Sequence, residues 1–102
     1  MKYSFHPAAK SELNEGADYY EECQLGLGLE FLKEVYSTIQ HILQYPQAWS
    51  TLSANTRRCL TNRFPYGIIY QVLDDEIYVI AVMHLNRKPF YYKERITKGR
   101  TS

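Results

Sequence analysis

A chain of 102 residues has room for one modest core, and its two cysteines, Cys23 and Cys59, sit far apart in no CxxC pattern, which excludes a disulfide framework and a zinc site. No stretch approaches the ~18 apolar residues of a membrane span and MKYSFHPAAK holds no apolar signal region, so the expectation is a soluble cytoplasmic protein without membrane, metal or cofactor. The net charge of +1 conceals a split: residues 1–56 carry three basic and seven acidic side chains (net −4), residues 57–102 nine and four (net +5), which predicts an acidic solvated half and a basic working half, or two surfaces that pair.

Lys2–His6 alternates Tyr3 and Phe5 with polar neighbours and reads as a first strand. Pro7 suits the first position of a helix, and Ala9, Leu13, Ala17 and Tyr20 then recur at helical spacing as far as Cys23. The glycines of LGLG turn the chain, and the period resumes from Leu29 through Leu32, Val35, Tyr36, Ile39, Ile42 and Leu43. It stops at Tyr45, because Pro46 disfavours helical backbone in the residue before it. The pattern predicts an antiparallel helix hairpin with one apolar face on each helix.

Gln47–Asn55 reads as a loop carrying Trp49 as a lid on the core edge. Three strand-like runs follow: Arg57–Asn62, Tyr66–Leu73 and, after a tight Asp74-Asp75 turn, Glu76–Met83. The last is apolar almost throughout and is expected to be the central strand, with helices on one face and aromatics on the other. Pro89–Arg95 reads as a short terminal helix. Residues 1–96 make one domain and 97–102 a flexible tail. The order β-α-α-β-β-β implies an α+β fold: a small twisted antiparallel sheet packed against an N-terminal two-helix hairpin. Ten tyrosines suit the wet rim of such a core and equally a surface that stacks on bases.

Several stretches together, YPQAW, RRCLTNRFPYGIIYQV and IYVIAVMHLNRKPFYYKER, resemble the RelE/ParE superfamily of toxins from bacterial type II, plasmid-stabilisation-type toxin–antitoxin modules. The resemblance covers nearly the whole chain. It implies a basic concave sheet face that carries the activity, a cognate antitoxin as partner laid across the hairpin and sheet edge, and one of two targets. RelE-like members cleave mRNA in the ribosomal A site, and ParE-like members poison DNA gyrase without cleaving anything. The leading expectation is ribosome-dependent mRNA cleavage. The alternatives are a gyrase inhibitor, or a decayed member that still binds its antitoxin.

Cleavage would use a ribose 2′-OH as nucleophile and needs a base, an acid and cations around the phosphorane. By resemblance, His84 would be the general acid or base, Arg63 would contact phosphate, Arg87 would stabilise the transition state, and Tyr91 or Tyr92 would stack on a base. Arg57, Arg58, Lys88, Lys93 and Arg95 would widen the RNA-binding face. The bland readings stand beside these: Arg63 pairs with Glu76 or Asp75, Tyr66 and Tyr70 pack on the sheet, and Arg95, Lys98 and Arg100 belong to a solvated tail. Residues 35–73 hold no acid and no lysine, so the 2′-OH base has no candidate there.

Overall fold

The computed structural model describes residues 1–97. The chain runs β1 (Lys2–Phe5), α1 (Pro7–Cys23), α2 (Leu27–Gln44), β2 (Ser50–Ser53), β3 (Thr56–Leu60), β4 (Tyr66–Leu73) and β5 (Glu76–His84), and closes with a single 3-10 turn at Lys93–Arg95.

Pro7 opens α1 as expected, and the His6 side chain caps it by accepting the Ala8 N–H at Nδ1, 3.0 Å away. Gly26 takes φ 89 at the turn, and the Glu21 carboxylate accepts the N–H groups of Gly26 and Gly28 at the start of α2. Phe31, Val35, Ile39 and Ile42 bury one stripe of α2 against the sheet together with Ala9 and Leu13 of α1.

Three features of the sheet differ from the sequence reading. Its order is β1-β5-β4-β3-β2, so β4, not β5, is the middle strand. It is mixed, because β1 lies parallel to β5, from Lys2 beside Glu76 to Phe5 beside Val79. Pairing between strands seventy residues apart leaves no mark in local periodicity. The expected loop Gln47–Asn55 contains β2, which has one apolar residue, Leu52, and so no alternation to detect. A polar clamp holds β2 instead: the Arg57 guanidinium donates to Trp49 O (2.8 Å), Thr51 Oγ1 (3.0 Å) and Gln47 Oε1 (2.8 Å).

A second small core lies on the face away from the helices, where Ile69, Ile80, Ala81 and Met83 are covered by Tyr92. The segment after β5 therefore crosses that face, and the sheet is not an open basic concavity. Thr97 is tied down by Gln71, which donates from Nε2 to Thr97 O (3.1 Å) and accepts the Thr97 N–H at Oε1 (2.9 Å). The rest of the expected tail, with Lys98 and Arg100, lies outside the described residues.

Candidate functional site

The sheet delivers His84 to a turn. Its carbonyl accepts the Arg87 N–H at 3.0 Å, and its Nδ1 accepts the Asn86 N–H at 3.0 Å. The imidazole packs edge-on against Tyr66, its cross-strand neighbour, with ring centroids 5.2 Å apart. Nδ1 is thus engaged by the turn, and Nε2 has no hydrogen-bond partner among the described contacts.

Arg87 lays its guanidinium 4.0 Å from the centre of the Tyr91 ring. The Tyr91 hydroxyl donates to Glu12 Oε2 at 2.7 Å, and Arg95 grips the same carboxylate at 3.0 Å through each of two nitrogens. Burial first, then the Glu12 hydrogen bond and charge, push the Tyr91 hydroxyl well above the ordinary tyrosine range. Arg95 responds to the same carboxylate: burial works against its charge, yet the bond to Glu12 raises its pKa above the ordinary arginine value. This network gives two of the expected residues partners inside the chain. Arg95 is tethered to Glu12 and is not part of a solvated tail, and the Tyr91 hydroxyl is committed to the same carboxylate. Glu12 itself carried no sequence signal, being one of five carboxylates on α1.

Arg87 and His84 line a cleft of about 120 Å³ with Glu12, Glu15 and Tyr66. Glu15 is therefore a carboxylate near His84 that residues 35–73 could not supply, although no hydrogen bond joins the two among the described contacts. Glu12 is charge-paired with Arg95, so Glu15 is the carboxylate that faces Arg87 and His84 across this cleft without an ion-pair partner among the described residues.

The remaining candidates do not converge there. Arg63 pairs with Glu30 of α2 at 2.6 Å and its N–H donates to Glu34, so it faces the helix hairpin, not Glu76 or Asp75. It lines a separate groove of about 400 Å³ between α2 and β3, with Trp49, His41, Cys59 and Leu60. Arg57 is consumed by β2. Tyr92 is 3% exposed and cannot stack on a base without repacking the second core. Lys88 and Lys93 are exposed, and neither side chain has an ion-pair partner among the described residues. Tyr66 and Tyr70 are buried packing residues, as the bland reading had it.

Arg58 does meet Arg87. Both line a cavity of about 170 Å³ whose other walls include Met83, Leu85, Pro89 and Phe90. Gly67 makes room for the arginine: a Cβ there would stand 3.2 Å from Arg58 Cγ and Cδ. Burial raises the Tyr92 hydroxyl, and the charge of Arg58, which lines the same cavity, partly offsets this. At the cavity mouth the Tyr91 N–H reaches Lys88 O at 3.3 Å, closing a turn with Pro89 second and Phe90 third. Phe90 sits there at φ 62, a position that favours glycine in type II turns.

A mixed five-stranded sheet, a helix hairpin on one face and a histidine–arginine turn at the end of β5 define a small toxin of the RelE/ParE superfamily. Within that class the chain belongs to the ParE toxin family, described as the ParE toxin of the type II toxin–antitoxin system parDE, which matches residues 3–89. The fold is also that of a chain from the chromosomal ParDE TA system of P. aeruginosa, with TM-score 0.74 at 16% identity over 84% of this chain and 97% of that one. No curated protein matches it significantly in sequence. The protein is thus the toxin of a type II module, whose other component is an antitoxin. Nothing in these relationships supports mRNA cleavage, the leading sequence expectation. Among the described residues no helix is long and apolar enough to cross a membrane.

Proposed function

We propose that this toxin acts as a ParE-type inhibitor of DNA gyrase, in the cytoplasm, by binding and without chemistry of its own. The observation that carries the reading is the family match, which spans residues 3–89 and falls on the ParE branch. The distribution of cations supports it. Three of the five arginines expected to gather around RNA at the sheet face (Arg57, Arg63 and Arg95) have partners within the chain, and the His84 cleft carries Glu15 beside the Arg95-paired Glu12. A ribose-directed nuclease needs the opposite balance, with cations gathered around the phosphorane.

The antitoxin's place in this reading is the groove between α2 and β3. It is lined by Trp49 and the half-exposed Leu60, with Lys33, Glu30 and Glu34 alongside. An apolar floor with charged rims suits a peptide laid along a helix.

The test is a supercoiling assay with purified gyrase, run beside primer extension on mRNA in a translating extract. Inhibited supercoiling, reversed by antitoxin, with intact mRNA is the expected result. Cleaved mRNA with unaffected gyrase would overturn the proposal.

A further inference from the structure

Five arginines lie among the described residues. Arg57 donates to Trp49, Thr51 and Gln47, Arg63 pairs with Glu30, and Arg95 pairs with Glu12. Among the described contacts Arg58 and Arg87 alone have no oxygen acceptor for the guanidinium, and these two line one cavity. Its other walls are largely apolar, and three of them stay open to solvent: Pro89 is exposed, Leu85 is 42% and Phe90 52% exposed. Arg58 is not a loose surface cation. It is half-buried, its stem lies across Gly67, and a side chain on residue 67 would displace it. Phe90 is held at the mouth by a backbone conformation that phenylalanine rarely adopts.

We propose that this cavity docks an acidic segment of a partner protein, with one carboxylate taken by Arg58 and Arg87 and the adjoining apolar side chain buried against Leu85, Pro89 and Phe90. The proposal rests on the protein-directed reading of the toxin. Two unpaired guanidinium groups call for an anion, since their planar donors match a carboxylate fork. The apolar walls call for an apolar body next to that anion. A peptide with Asp or Glu beside Leu or Phe meets both demands in a volume of about 170 Å³. A phosphodiester strand meets only the first. Its charges repeat along the backbone and need a row of cations, whereas the cleft that adjoins Arg87 presents Glu15 and a Glu12 already paired with Arg95. The cavity's aromatic Tyr92 is buried, which leaves Phe90 as the one exposed ring among its lining residues.

The experiment uses the full chain and no gyrase, so it can fail while gyrase inhibition stands, and the reverse. Three probes are titrated while NMR follows the Arg58 and Arg87 Nε–H groups and the Met83 methyl: a ten-residue peptide alternating Asp with Leu and Phe, the same peptide with Lys for Asp, and a ten-nucleotide oligouridylate. The acidic peptide should give saturable shifts at all three reporters. Binding should weaken at least tenfold in Arg87→Ala, whose side chain is exposed and whose loss spares the fold. Arg58→Lys, which keeps the charge and loses the fork, should weaken it as well. Weaker binding at 0.5 M salt should accompany both. Tighter binding of oligouridylate at these reporters would make the cavity an RNA site. Equal binding of the lysine peptide would remove the role of charge. Shifts that grow with protein concentration alone would make a second copy the occupant. No saturable shift with any probe would mean that the cavity docks nothing. Each of these four results overturns the proposal.

Discussion

Glu12 and Arg95, 83 residues apart in the chain, meet at 3.0 Å on the edge of β5 just past the point where β1 stops pairing with it. The Glu12 carboxylate accepts the Val82 N–H at 3.0 Å, and Arg95 donates to Ile80 O at 2.9 Å. Ile80 is the extra residue where the β4–β5 ladder shifts register, between the pairs Ile69–Ala81 and Tyr70–Val79. The ion pair therefore satisfies backbone groups that a longer β1 would have taken, and it binds the C-terminal segment to α1.

Removing one partner should be costly, because the two side chains are only 11% and 17% exposed. Glu12→Ala should lower stability by about 3 kcal/mol, since it strands Arg95, the Val82 N–H and the Tyr91 hydroxyl together. A Glu12→Gln, Arg95→Met double variant should lose less than the sum of the single changes. Urea unfolding of the four proteins measures the coupling, and strict additivity would show that the pair is not a unit.

Phe90 offers a test of backbone strain separate from its ring. Phe90→Ala and Phe90→Gly both delete the aromatic group, but only glycine adopts φ 62 freely. Phe90→Gly should be the more stable of the two by about 1 kcal/mol, although glycine is ordinarily the less stable choice. Thermal unfolding of both variants decides it, and an alanine variant that melts higher would show that the turn relaxes.

Alkaline pH should destabilise the fold through Cys59. Burial pushes its thiol from the ordinary 9.0 up to about 11. The unfolded chain releases this proton first, so the stabilisation is complete below about pH 9 and is lost as pH rises toward 11. Cys59→Ala should flatten the stability–pH curve in that window. The exposed Cys23 should react with iodoacetamide in the native protein at pH 8 while Cys59 stays protected.

Trp49 packs against the main core, and its indole N–H is buried without an acceptor among the described residues. Trp49→Phe drops that orphan donor and keeps most of the ring, so it should cost less than about 1.5 kcal/mol. Trp49→Ala should cost about 3 kcal/mol, which calorimetry would register as a fall of several degrees in Tm. Equal losses in the two variants would assign an unseen hydrogen bond to the indole.

Much of this molecule was legible before any coordinates. Helical spacing delimited α1 at Pro7 and Cys23, the Tyr45-Pro46 pair marked the end of α2, and β-branched runs marked β4 and β5, because each of these signals acts within a few residues. The motifs around RFPYGIIY and HLNRKPFYY carried the superfamily, and with it the hairpin-on-sheet architecture. The bond partners of the basic residues were not legible. Whether an arginine is a tether or a free cation depends on which carboxylate the fold brings within about 3 Å, and that partner came from α1 for Arg95 and from α2 for Arg63. The parallel placement of β1, the polar clamp that makes β2 a strand, and the burial of Tyr92 under the C-terminal segment were likewise decided only in three dimensions. Local periodicity records which face of an element is apolar, whereas the contact each charge makes is a property of chain segments that meet only after folding.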